Sequence, residues 1–213
     1  MNEISYTPNQ ITPEISTTIK LGPLERPRAN PALVIKIEGV EWELCDAASK
    51  HRGCNTKPGS YGRGIKNTDD DPFIVTRMGM LGEFAYAKIK NLPVDLTFRA
   101  YDDTDFTENG KTVDVKLATT VSLINRIQAI TDRGFATPPK CDIYVFGYCE
   151  AESRDEKWAR VVLTGWQSKT FIENLPITPS PVKDCSHQNY DVYAHMLRPL
   201  INVETHTYVP YND

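Results

Sequence analysis

The sequence predicts a single α/β (α+β) domain, with a central mixed sheet of about four or five strands flanked by helices. Two observations carry that expectation. The first is size and composition: 213 residues, 40% hydrophobic and 24% charged, suit one globular domain with a substantial core. The second is an order of apolar periods that runs helix, strands, helix, strands, with no internal repeat or low-complexity tract.

Residues 1–31 hold Pro8, Pro13, Pro23, Pro27 and Pro31 among many Thr, Ser and Asn, so this stretch is expected to be an N-terminal arm or edge strand with little helix. The main domain is expected over 32–205, with a short C-terminal tail over 206–213. Ala32–Val40 reads as a strand and Trp42–His51 as a short helix ending near Gly53. A helix over about Met80–Lys90 sets Leu81, Phe84, Ala85 and Ile89 in one stripe, with Glu83 roughly opposite. Strands are expected at Val94–Tyr101, Lys111–Ala118, Asp142–Tyr148 and Arg160–Trp166, with a helix over Thr120–Thr131 between the second and third. The proline-rich stretch from Pro176 onward has no derivable packing.

No apolar run approaches a signal core or a membrane span, and Met1–Ser5 is polar, so the expectation is a cytoplasmic protein without a membrane partner. Five cysteines, odd in number and widely spread, do not make a disulfide framework. A net charge of −4 argues against coating nucleic acid through bulk charge, while leaving room for local binding by an enzyme rich in carboxylates. Such local binding has a candidate in residues 47–68. That segment carries Lys50, Arg52, Lys57, Arg63 and Lys66, four glycines and no acidic residue, so it reads equally as a DNA-contacting loop or a solvated surface loop.

The chemistry concentrates in Lys111-Thr-Val-Asp-Val-Lys-Leu-Ala118. Val113, Val115 and Leu117 share one strand face, and the two-residue period puts Asp114 and Lys116 together on the other. A carboxylate and an ammonium in an otherwise apolar strand need a partner, either a cross-strand ion pair or a metal and a phosphate. Upstream, Asp102-Asp103-Thr104-Asp105 lies just before a Glu108-Asn109-Gly110-Lys111 turn, so a hairpin sets Asp105, or Asp102 or Asp103, beside Asp114. Two converging carboxylates supply the hard oxygen ligands that Mg²⁺ or Mn²⁺ takes.

Glu83 on a helix, then Asp105, then Asp114-Val115-Lys116 together resemble the PD-(D/E)xK nuclease superfamily. Gly79-Met-Leu-Gly-Glu-Phe-Ala-Tyr-Ala-Lys88 is similar to the GxxGExAxAK helix of its phage and mobile-element members. Asp142-Ile-Tyr-Val-Phe-Gly147, Leu163-Thr-Gly-Trp166 and Met196-Leu-Arg-Pro-Leu200 resemble that subgroup's closing strands and tail, so the likeness runs over roughly residues 42–200. The first aspartate departs from the motif in being followed by Phe106 and not preceded by proline. The resemblance implies a restriction-endonuclease-like αβββαβ core and Mg²⁺- or Mn²⁺-dependent hydrolysis of DNA, with RNA left open. It further implies that Asp105, Asp114 and the Val115 carbonyl hold the ion, that Glu83 is a direct or water-mediated ligand, and that Lys116 orients or deprotonates the attacking water. A bacteriophage or mobile-element setting follows from the same likeness, and many enzymes of this class cut both strands as homodimers.

Other constellations carry less. Cys45, His51, Cys54, Cys185 and His187 would build a structural zinc site only if the tail folded back, and they lack paired CxxC spacing. An iron-sulfur cluster fits them less well, and no local context activates a thiolate for cysteine-histidine hydrolysis. The polar run His187-Gln-Asn-Tyr190 reads equally as a DNA contact and as a hydrogen-bonded surface turn, while Arg126 and Gln128, on the helix expected after the Asp114 strand, read more readily as solvent-facing polarity than as substrate contacts. The alternative function is a catalytically silent nuclease-fold protein that binds nucleic acid or a protein partner.

Overall fold

Strand-forming runs rich in valine and isoleucine, bounded by turns, assemble into a central mixed sheet whose core is shared with two long helices. The computed structural model describes residues 4–21, 24–54, 73–96, 104–119, 124–130, 134–180, 188–202, 204–205 and 207–211. In chain order these form β1 (Ser5–Tyr6), β2 (Glu14–Leu21), β3 (Leu24–Glu38), α1 (Val40–Cys54), α2 (Ile74–Lys90), β4 (Val94–Asp95), β5 (Phe106–Glu108), β6 (Lys111–Ala118) and β7 (Ile124–Ile130). They continue with β8 (Ile143–Ser153), β9 (Trp158–Ser168), α3 (Lys169–Glu173), β10 (Ile177–Pro179), β11 (Gln188–Tyr193), β12 (Ile201–Asn202) and β13 (Thr207–Tyr208).

The central sheet has six strands in the order β2-β3-β9-β8-β6-β5, antiparallel except for the parallel pair β6 and β8. The chain is therefore α+β, and the sheet exceeds the expected four or five strands because both edges gain one. Part of the proline-rich arm supplies β2, an edge strand that itself holds no proline, while Pro27 and Pro31 fall in β3 ahead of Leu33, where its pairing with β9 begins. The other edge is β5, joined to β6 through Asn109 (φ 52°) and Gly110 (φ 78°), the tight turn that Asn-Gly favours.

The helix expected over Thr120–Thr131 is not formed where the chain is described: Ile124–Ile130 is β7, antiparallel to β11, with β10 beyond it. Ile124, Ile127 and Ile130 recur every three residues and so imitate a helical stripe, but β-branched side chains favour extended backbone once a partner strand is available. The crossover between β6 and β8 thus carries a strand of a second, three-stranded sheet. The strand expected at Val94–Tyr101 is described only as β4, which pairs with β1 outside the central sheet.

One face of the central sheet packs on α2 through Val113, Val115, Ile143, Val145, Val161 and Leu163. Helix α2 is buried from Met80 to Ile89, including Glu83, which the sequence places opposite the apolar stripe. Burial on all sides forces its charges into pairs: Arg77 Nε donates to Glu152 Oε1 at 2.6 Å, and Lys88 donates to Glu41 and to the Lys36 carbonyl. The opposite sheet face packs Tyr144 and Phe146 against Ile127, Ala129, Tyr190 and Val192 of the second sheet. Among the described residues no helix is long and apolar enough to cross a membrane.

The described residues beyond Pro176 pack onto the domain. Trp166 and Arg198 exchange both backbone hydrogen bonds at 2.9 Å, and Tyr211 is buried edge-on to Trp166, ring centroids 4.8 Å apart. Lys90 Nζ binds Glu108 Oε1 at 2.8 Å and lies 4.9 Å from the ring centroids of both Tyr208 and Tyr211. Tyr86 Oη bonds Glu108 and Tyr211, and Lys111 Nζ donates to the Tyr211 carbonyl at 2.8 Å, so this end of the chain braces the β5–β6 turn.

Two consequences are measurable. A Cβ at Gly147 would sit 2.5 Å from the Val162 carbonyl oxygen and 3.0 Å from both Leu117 and Leu163. Gly147→Ala is therefore expected to destabilise by about 1–3 kcal/mol in urea unfolding. The exposed Asp142 carboxylate accepts from the Thr112 N–H and hydroxyl, both at 2.8 Å, which holds its pKa below the ordinary value. A depressed folded-state pKa contributes stability above about pH 4 that is lost as pH falls through the folded value. The stability difference between wild type and Asp142→Ala is thus expected to shrink as urea titrations move down from about pH 4.

Candidate functional site

The turn at Asn109-Gly110 sets the register of β5 on β6, so Phe106 faces Val113 and Asp105 falls one residue beyond the paired strand. Asp105 N donates to the Val113 carbonyl at 3.0 Å, and Asp105 Oδ2 accepts from Val115 N at 2.7 Å. The aspartate thus takes the place a longer β5 would have filled. In a strand the N–H and C=O of one residue leave on the same side. The Val115 carbonyl therefore points to the same edge of β6 as Asp105.

Alternation along β6 turns Val113 and Val115 to α2 and turns Asp114 to the other face, where its register partner on β8 is Tyr144. Asp114 is 8% exposed, and Lys116 Nζ sits 2.6 Å from its Oδ2. These residues open onto a cleft of about 430 Å³ between the two sheets. Asp105, Asp114 and Lys116 form one wall, and Arg126 and Ile127 of β7 form another. Thr137, Pro138, Pro139, Lys140 and Tyr144 complete it. Tyr144 Oη is fixed by the main-chain N–H groups of Lys140 (2.8 Å) and Cys141 (3.2 Å), and Arg126 Nε lies 3.2 Å from Asp191 Oδ1.

Electrostatics separate the groups. Burial, then the neighbouring Glu83 and Asp114 carboxylates, pushes the Asp105 carboxyl well above the usual range. Desolvation works against the Lys116 ammonium, but Asp114, by charge and hydrogen bond, and then Asp105 raise its pKa, so it stays protonated at neutral pH. The site is a carboxylate pair with a fixed ammonium at the mouth of a cleft.

Glu83 stands apart from this wall. It belongs to α2 on the other side of the sheet, is 6% exposed, and is not among the residues that line the cleft. Arg52, at the end of α1, grips it: Nη1 donates to Oε1 at 2.6 Å and Nη2 to Oε2 at 3.2 Å, and Nη2 also reaches the Asp95 carbonyl at 2.8 Å. Desolvation disfavours the partly buried guanidinium, yet Glu83, by charge and hydrogen bond, together with Asp105 and Asp95 outweighs it and raises its pKa. Burial raises Glu83 in turn, with Arg52 holding it back.

The structure thus brings Asp105, Asp114 and Lys116 together and sets Glu83 within electrostatic range of both aspartates. Of the five basic residues read as DNA contacts, Arg52 turns inward to Glu83 and Lys50 is exposed on α1, bonded to Asp46 at 2.5 Å. Lys57, Arg63 and Lys66 lie outside the described residues, as do Asp102, Asp103, Cys185 and His187. Cys45 is buried in the core and His51 is exposed on the same helix, so those two do not converge on one ion. Sequence reasoning passed over Lys140, Thr137 and Tyr144. The only signal for Tyr144 was its place in the strand that happens to align with Asp114.

Among the described residues no group of three or more His, Cys, Asp or Glu side chains is arranged around a single point for a metal. The donor set nevertheless suits Mg²⁺, which takes one or two carboxylates and fills its octahedron with waters and substrate oxygens. Asp105, Asp114 and the Val115 carbonyl at the same edge of β6 are such a set. No protein-family model, curated protein or solved structure matches the chain.

Proposed function

We infer that this chain is a metal-dependent nuclease that hydrolyses phosphodiester bonds of DNA, a divergent member of the PD-(D/E)xK superfamily with a restriction-endonuclease-like core. The observation that carries the reading is the convergence of Asp105, Asp114 and Lys116 on one cleft, with Asp105 fastened to β6 through the Val115 N–H. Carboxylate, carboxylate, carbonyl and lysine in this order on a hairpin suit hard-cation chemistry, and the cleft beside them has Arg126 and Lys140 to offset phosphate charge.

Asp105, Asp114 and the Val115 carbonyl would hold Mg²⁺ or Mn²⁺, which when bound polarises the phosphoryl group and acidifies water. Lys116, anchored by Asp114, donates hydrogen bonds into the cleft and stabilises negative charge developing on the phosphorane oxygens. With a positively charged ammonium in that place, its main work is to orient the attacking water and steady the oxyanions. Tyr144, held by two main-chain donors, keeps its ring fixed beside Asp114 and shields that carboxylate from bulk water.

A second reading is a silent member of the same fold that binds nucleic acid or a protein, and it draws on the sequestration of Glu83 by Arg52. The two readings part on one experiment. Supercoiled plasmid and labelled single-stranded DNA are incubated with Mg²⁺ or Mn²⁺ and wild type, Asp114→Ala or Lys116→Ala. The nuclease reading expects metal-dependent cutting, abolished by Asp114→Ala and lowered about 10²- to 10³-fold by Lys116→Ala, with melting temperatures near wild type. DNA binding that persists in Asp114→Ala, with no cutting by any form, favours the silent fold. The cleft itself makes a separate expectation: Arg126→Ala and Lys140→Ala should weaken DNA binding in Ca²⁺ and flatten its salt dependence by about one unit of slope each.

A further inference from the structure

Three carboxylates crowd the edge of β6, and two cations already answer them. Lys116 answers Asp114 from the cleft side, and Arg52 answers Glu83 from the α1 side. The two answers differ in kind. Lys116 meets Asp114 at one oxygen and its side chain is 49% exposed, so it leaves room for an incoming cation to share that carboxylate. Arg52 occupies both oxygens of the buried Glu83 and is tied to the Asp95 carbonyl, with 21% of its own side chain exposed. A planar guanidinium matched to a carboxylate at two points is the hardest arrangement for an incoming cation to displace. Removing it would leave a buried carboxylate and a carbonyl without their donor.

We propose that Arg52 is a built-in counter-cation that keeps Glu83 out of the metal's ligand set and limits the centre to one divalent ion, held at Asp105 and Asp114. This proposal rests on the metal-dependent reading above and narrows it. Charge supports it: Arg52 already supplies beside Glu83 the positive charge that the carboxylate would otherwise draw from an ion. A second divalent ion would bring two more positive charges next to an arginine that cannot lose its proton. Geometry supports it as well, because the cleft gives access to Asp105 and Asp114 while Glu83 stands behind the strand edge. Arg52 therefore acts as a positioning residue, through Glu83.

The test counts bound ions rather than activity. Mn²⁺ binding is measured by calorimetry and electron paramagnetic resonance for wild type, Arg52→Met, the Arg52→Met/Glu83→Gln double variant and Asp114→Ala, each shown by its melting curve to be folded. Wild type is expected to bind one Mn²⁺ that Asp114→Ala abolishes. Arg52→Met is expected to bind Mn²⁺ about tenfold or more tightly, or to take up a second ion with the spin-coupled spectrum of a pair. The double variant, with the freed carboxylate neutralised, should return to one ion and remains informative if Arg52→Met alone does not fold. Two ions in wild type, or unchanged affinity and stoichiometry in both Arg52 variants, would overturn the role of Arg52 while leaving the metal centre standing. No Mn²⁺ bound by any form would overturn both.

Discussion

A helix can approach a sheet to backbone distance only where it presents no side chain, and α2 does so at Gly82. A Cβ there would stand 3.2 Å from Val115 Cγ1 and 3.3 Å from Leu117 Cβ, on the strand that carries Asp114 and Lys116. Everything at the site follows from that seat. It brings the next residue, Glu83, to the strand edge under full burial, and burial then demands a cation, which α1 supplies as Arg52. The same close seat buries Arg77 and Lys88, whose partners Glu152, Asp46 and Glu41 come from β8 and α1. The ion pairs around α2 are consequences of placing a helix where water cannot reach, and they orient α1 and β8 about it.

The β6 hairpin was legible because two local signals agree: strict alternation in Lys111–Ala118 and an Asn-Gly turn that only a tight hairpin uses readily. Strands β8 and β9 were also legible, as runs of Val, Ile and aromatic residues, although burial on both faces removes their alternation. What escaped depends on partners distant in sequence. The three isoleucines of β7 satisfy a helical spacing and a strand equally, and only the antiparallel match to Gln188–Tyr193 decides between them. Arg52 reads as one more charge in a basic, glycine-rich stretch, since nothing nearby in sequence reveals that the end of α1 meets Glu83, 31 residues on. Tyr144 joins the cleft through the register of a parallel pair, which local sequence does not set.

The second sheet changes what the central one can do. Without β7 the Asp114 face of β6 would be an open surface, where exposed charges are screened and a carboxylate pair has little leverage. With β7 and the Thr137–Lys140 segment across from it, the carboxylates share a partly enclosed space with Arg126 and Lys140. Lower effective dielectric strengthens each interaction there, the repulsion that raises Asp105 as much as the attraction that fixes Lys116. Cleft and charge are therefore one design, assembled from two sheets that the chain crosses between β6 and β8.

The tyrosines gathered about Lys90 give the molecule a link between proton loss and architecture. Burial, each other's proximity and the Glu108 carboxylate raise the Tyr86 phenol far above its ordinary range, and burial raises Tyr211 as well. Both phenols are therefore held protonated to higher pH while the chain around Tyr208 and Tyr211 is docked beside the β5–β6 turn. By linkage, alkali that draws off those protons works against the brace on the hairpin bearing Asp105.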